Sequence, residues 1–137
     1  MRILAIDWGE KRIGLSITDP YQIIVTPLPY IENRGKNKSI EKIKEIIKEN
    51  NVEKIVIGIP KNINGKLGEK GEKYQKIGKE IERKTGIIVE FFDERYSSAL
   101  AEKILRNHPK KKTKGKELRD SLSASIILEG YISSHKK

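Results

Sequence analysis

The sequence predicts an α/β fold: one mixed five-stranded sheet with helices on both faces. Three observations carry that prediction. Ile3-Leu4-Ala5-Ile6 is an unbroken apolar run ending at Asp7, the pattern of a strand buried on both faces. Ile13, Leu15 and Ile17 then alternate with Gly14, Ser16 and Thr18, the pattern of a strand with one buried face. Further along, apolar runs of strand length alternate with stretches of helical period, which gives the element order βββαβαβαα.

The first two strands form a hairpin, with Gly9 permitting a tight turn and Lys11 and Arg12 at its tip. Ile23 to Thr26, followed by Pro27-Leu28-Pro29-Tyr30, reads as a third strand. Its prolines cannot donate to a ladder and place that end at a sheet edge or just outside it. Asn33 to Asn37 is a turn-rich connector, and Ser39 is a candidate N-cap. Ile40, Ile43, Ile46 and Ile47 make a helical stripe that ends near Asn50-Asn51. Ile55 to Ile59 is a buried-type strand stopped by Pro60, and a polar loop, 61–66, follows it.

A second helix carries Leu67, Tyr74, Ile77 and Ile81, with Gly71 and Gly78 each weakening it by about 1 kcal/mol relative to alanine. Thr85-Gly86 ends it, and Ile87 to Phe92 is the last strand. Ser97 or Ser98 then caps a helix that Pro109 finishes. Lys110 to Lys116 is a basic loop, and a final helix runs from about Glu117 to about Ser134. The five strands make a sheet antiparallel on one side and parallel on the other.

Length and composition bound the function. At 137 residues the chain is expected to form one domain, 1–137. It holds 29 Lys and Arg against 19 Asp and Glu, a net charge of +10. A Lys/Glu-rich surface of thermophile type accounts for the many charges but not for the excess of one sign. That excess attracts polyanions, nucleic acid first and anionic membrane surfaces second. Absence of cysteine excludes disulfides, zinc-thiolate sites and thiol chemistry. No stretch approaches the ~20 apolar residues of a membrane span, and the N-terminus runs straight into a strand. A soluble, cytoplasmic protein is expected.

The candidate chemistry gathers at the carboxyl ends of the parallel strands, where open α/β sheets place their sites. Asp7 ends the first strand, and Asp93-Glu94 closes the last. Strand alternation points those two to opposite faces, so one of them is expected to share a pocket with Asp7. Asp120 heads a stripe continued by Ala124, Ile127 and Tyr131. A carboxylate on such a stripe is costly unless paired or bound to metal.

Three carboxylates without cysteine suit a hard, oxygen-preferring ion, Mg²⁺ or Mn²⁺. Two such ions about 4 Å apart serve phosphodiester hydrolysis. Lys11, Arg12 and Arg95 are candidates for phosphate contacts, and Asn62 and its loop for a phosphate or a base. Lys111 and Lys112, with their basic neighbours, are candidates for nucleic-acid backbone contacts. The loop lacks Walker A or GxGxxG spacing, so ATP binding is unsupported.

These motifs together resemble the YqgF (RuvX) family: Asp7-x-Gly9-x-Lys11-Arg12-Ile13-Gly14, Gly58-x-Pro60 with Asn64-Gly65, Asp93-Glu94-Arg95, and Asp120 in a last helix. The resemblance covers nearly the whole chain and keeps four motifs in order. It implies an RNase H-like fold related to the Holliday-junction resolvase RuvC. It also implies a divalent-metal nuclease that processes the 5′ end of the 16S rRNA precursor, with precursor ribosomal particles as partners. The family's acidic residues fall on Asp7, Glu94 and Asp120. Tyr96-Ser97-Ser98 stands where many members have Leu-Thr-Thr, and Ser121-Leu122-Ser123-Ala124 where small residues predominate.

The leading expectation is therefore metal-dependent cleavage of structured RNA, by a monomer or a homodimer that does not engage membranes. Cleavage of branched DNA on the same site, and nucleic-acid binding without catalysis in ribosome assembly or transcription, are the alternatives. A kinase of the actin-hexokinase type shares the acid-x-glycine hairpin. Its nucleotide site needs two such domains, and 137 residues hold one.

Overall fold

A computed structural model describes residues 1–60, 65–93 and 122–135. Five strands, β1 (Arg2–Asp7), β2 (Arg12–Thr18), β3 (Val25–Glu32), β4 (Val52–Ile59) and β5 (Ile88–Asp93), form one sheet in the order β3-β2-β1-β4-β5. β1 is antiparallel to β2 and parallel to β4, β2 is antiparallel to β3, and β4 is parallel to β5. Helices α1 (Lys36–Asn50) and α2 (Glu69–Thr85) follow β3 and β4, and α3 (Leu122–His135) follows β5. The mixed sheet is thus the predicted one. The predicted helix ending at Pro109 and the first turn of the last helix lie outside the described residues.

β1 is central in the sheet, and its unbroken apolar run lets it be buried on both sides. Leu4 and Ile6 join Trp8 in a core with α1 and α2, while Ile3 and Ala5 join Val56 and the Ala124, Ile127, Leu128 and Tyr131 row of α3. Among the described residues no helix is long and apolar enough to cross a membrane.

Four local expectations are corrected. β2 is buried on both faces, not one: Ser16 and Thr18 are as covered as Ile13 and Leu15. Small side chains at Gly14, Ser16 and Thr18 leave room for α3, a non-local element that alternation cannot announce. The third strand continues through both prolines, with a register shift against β2 between Leu28 and Ile31, and begins at Val25, leaving Ile23 and Ile24 in an exposed loop. It tolerates the prolines because it is the sheet's edge.

Ser39 is no cap. α1 starts three residues earlier, after Gly35, and Ser39 is buried with its hydroxyl donating to Asn33 Oδ1 (3.2 Å). Leu67 precedes α2 rather than riding on it. Within α2, Gly78 has a packing role. A Cβ there would stand 2.6 Å from the Phe91 ring and 3.1 Å from Ile57, so the missing side chain lets the helix lie close on β4 and β5. Both helices end as the sequence suggests, on left-handed residues Asn51 and Gly86.

Candidate functional site

Pleating of β1 decides where Asp7 points. Ile3 and Ala5 face α3 and Leu4 and Ile6 face α1 and α2, so Asp7 continues the α3 face and Trp8 the other. Asp7 is half-buried at the carboxyl end of the strand, directly opposite Gly14 of β2.

The turn carrying Lys11 and Arg12 is held tightly. A Cβ on Gly9 would meet Arg12 O at 2.3 Å, which only glycine tolerates. Asn33 braces the same turn from outside: its backbone N–H donates to Lys11 O (2.9 Å) and its Nδ2 donates to Gly9 O (2.7 Å). Its Oδ1 accepts from Gly35 N (3.1 Å) and Ser39 Oγ (3.2 Å) and so starts α1. Asn33 was missed as a site-building residue, although the turn-rich run 33–37 was the available signal. Lys11 and Arg12 are both exposed, and the Arg12 guanidinium lies 5.4 Å from the centroid of the Tyr30 ring.

Asp93 ends β5 at the same end of the sheet, paired in register with Ile59. Ile59, Val89 and Phe91 belong to the α1–α2 core and Phe92 packs with the α3 core. Asp93 therefore lies on the face opposite Asp7, as alternation predicted for one member of the Asp93-Glu94 pair. Glu94, Asp120, Asn62, Arg95, Lys111 and Lys112 lie outside the described residues. Among the described residues no group of three or more His, Asp or Glu gathers closely enough to hold a metal ion.

The stripe Ala124, Ile127 and Tyr131 is buried. Near its end, Tyr131 OH accepts from Lys54 Nζ (2.9 Å) and donates to Glu90 Oε2, and Lys54 Nζ also pairs with Glu90 Oε1 (3.4 Å). Lys54 is the register partner of Ile3. The C-terminal part of α3 thus sits at the amino end of β1.

The hydrogen bond from Tyr131 holds Glu90 below the usual carboxylate range, and the one to Tyr131 raises Lys54. Burial, followed by the bond to Glu90, raises the Tyr131 phenol.

Two surface clefts lie elsewhere, one of about 950 Å³ between β3 and α1 and one of about 540 Å³ between the hairpin and α2. Of the predicted site residues that are described, Asp7, Lys11 and Arg12, none lines either of them.

This arrangement, a central strand ending in an aspartate within a β3-β2-β1-β4-β5 sheet covered on both faces, is an RNase H-like fold. Solved structures agree on the fold. RuvC of Thermus thermophilus in complex with a Holliday junction substrate superposes with a TM-score of 0.65 at 15% identity, covering 99% of this chain and 98% of its own. The fowlpox virus Holliday junction resolvase gives 0.59 at 13% identity, covering 98% and 99%.

The chain belongs to the RuvX family, described as Holliday junction resolvases, whose sequence model matches residues 1–134. Proteins named as candidate pre-16S rRNA nucleases are similar over almost their whole length. The one from Clostridioides difficile is 44% identical over 131 residues, 96% of this chain and 93% of its own. The one from Dictyoglomus thermophilum is 40% identical over 134 residues, 98% and 96%.

Proposed function

We propose that this chain, as one cytoplasmic domain, is a divalent-metal nuclease that hydrolyses phosphodiester bonds of structured RNA during maturation of the 5′ end of the 16S rRNA precursor. The observation that carries the reading is Asp7, at the carboxyl end of the central strand on the α3 face, in a RuvX-family chain. Relatives named for pre-16S rRNA favour RNA as the substrate.

The donors of the proposed site are Asp7, Glu94 and Asp120. Asp7 fits a hard cation: it offers carboxylate oxygens at a half-buried strand end in a chain without cysteine. Glu94 is chosen over Asp93 because Asp93 lies on the other face. Asp120 is chosen because the resemblance places the family's last-helix carboxylate there, at the head of the stripe that Ala124, Ile127 and Tyr131 continue. Mg²⁺ or Mn²⁺ held there supplies activation of water and stabilisation of the leaving oxygen. Lys11, Arg12 and Arg95 hold the phosphate, Asn62 and its loop orient the adjoining nucleotide, and Lys111 and Lys112 grip the backbone.

The test is cleavage of a precursor rRNA with Mn²⁺ or Mg²⁺, beside Asp7→Asn. Even outer partners of metal ligands cost 10–100-fold, so the variant is expected to lose more than about 100-fold in rate. Equal cleavage by both proteins removes Asp7 from the site.

The family description and the RuvC likeness support a second reading, in which branched DNA is the substrate of the same carboxylates. Competition between a four-way junction and structured RNA separates the two. Salt-sensitive binding that survives Asp7→Asn and needs no metal would instead mark a non-catalytic binding factor.

A further inference from the structure

Beside Gly14, the β2 residue opposite Asp7, the ladder between β2 and β3 slips by one residue. Ile13 pairs with Ile31 and Leu15 with Leu28, so Gly14 alone stands against two residues of β3, Pro29 and Tyr30. A bulge of this kind bends its strand and re-aims a side chain, and bulges gather beside functional sites. This one lies two strand spacings, about 10 Å, across the sheet from Asp7.

Strand alternation puts Arg12 on the Asp7 face. Ile13 belongs to the α1–α2 core, so its neighbours Arg12 and Gly14 take the other face, as Asp7 does. The bulge brings the Tyr30 ring to the same place. The Arg12 guanidinium lies 5.4 Å from the ring centroid, within cation–π range. Arg12 is exposed and Tyr30 half-buried, so the pair presents a planar cation backed by an aromatic ring.

That chemistry selects a nucleotide. The N–H edge of a guanidinium takes a phosphate, and its flat face stacks on a base. Stacking of this sort needs an unpaired base, since a base inside a duplex is already covered on both faces. The surroundings suit a polyanion at this point: exposed Lys11 adjoins Arg12, and Glu32, the register partner of Arg12, is paired with Arg34 (2.7 Å). Farther along the cleft between β3 and α1, Lys38 and Lys42 are interspersed with Glu41, Glu45 and Glu49. The cleft therefore offers a polyanion no net attraction along its length, which confines contact to the hairpin end.

We propose that Arg12 and Tyr30 form a stacking platform for the base of an unpaired nucleotide next to the phosphate cleaved at Asp7. The inference rests on the nuclease reading for the position of that phosphate. It narrows the substrate to RNA whose strand is unpaired beside the cleavage point.

The test uses an RNA hairpin with a short single-stranded flank, beside the same hairpin with an abasic flank of equal charge. Binding is followed by fluorescence anisotropy in EDTA, so it is read without cleavage. The wild type is expected to prefer the base-bearing flank by about tenfold, the scale of one stacked base. Tyr30→Ala is expected to lose that preference and to bind the abasic RNA as the wild type does. Tyr30→Phe keeps the ring and is expected to keep the preference. Arg12→Lys retains the charge but not the planar face, so it is expected to lose the preference; its exposed position lets it carry the test where Tyr30→Ala disturbs folding. A wild type without the preference, or an Arg12→Lys or folded Tyr30→Ala protein that retains it, overturns the proposal. Absence of turnover with Mn²⁺ or Mg²⁺ removes the nuclease reading separately, because the binding preference is measured without it.

Discussion

Asn33 uses its backbone N–H, Nδ2 and Oδ1 at once, tying the Lys11–Arg12 turn to the start of α1. Asn33→Ala removes the side-chain bonds and leaves Gly9 O and the buried Ser39 hydroxyl without them. A loss of about 1–3 kcal/mol follows from unsatisfied groups of this kind, read in chemical denaturation. Because the hairpin carries Asp7, cleavage is expected to fall further than stability alone explains at temperatures where the variant is folded. Asp7 itself was legible in the sequence: a carboxylate ending a doubly buried run is a local pattern. Asn33 was visible only as a turn residue, since its partners at Gly9 and Lys11 are 24 and 22 positions away.

The placement of α3 is an element-scale problem. Its buried residues include small and apolar side chains over much of its surface, so apolar packing alone sets its axial position weakly. The Tyr131 contacts with Glu90 and Lys54 supply a directional anchor. Tyr131→Phe retains the ring and loses both hydrogen bonds, at an expected cost of about 1–2 kcal/mol in thermal or chemical unfolding.

The pH dependence of that anchor has a definite sign. Glu90 has a lower pKa folded than unfolded, so its contribution is present above the carboxylate range and is lost as pH falls through it. Lys54 has a higher pKa folded than unfolded, so its contribution is present below the lysine range and fades as pH rises through it. Glu90→Gln is therefore expected to flatten the acid limb of the stability curve between about pH 5 and 3, while leaving neutral pH to report the lost ion pair. Urea melts across pH 3–7 check this. Element existence was readable from periodicity. Element ends were not, because the start of α1 is set by Asn33 and the course of β3 by its edge position.

Charge is distributed unevenly over the whole molecule. The described residues hold 17 Lys and Arg against 15 Asp and Glu, a net +2 of the total +10. The remaining +8, from 12 against 4, belongs to residues 61–64, 94–121 and 136–137. Nucleic-acid affinity should accordingly respond most to lysines such as Lys111 and Lys112. Each phosphate contact removed lowers the slope of log K against log salt by about 1. The double variant Lys111→Ala/Lys112→Ala is expected to flatten it by about 2, in a fluorescence-anisotropy salt titration with structured RNA.

By itself the sequence determined the strand-rich, mixed α/β order, the central position of β1 and the carboxylate at its end. Each is written in local periodicity and composition, which need no knowledge of partners. It also contained the resemblance that family membership later bore out. Tertiary structure alone decided that β2 is buried on both faces, that Asp93 and Asp7 lie on opposite sides of the sheet, that α3 is anchored at Lys54 and Glu90, and that Ile23 and Ile24 stand in solvent. These depend on contacts between residues far apart in the chain, and a pattern read one window at a time carries no record of which element will cover it.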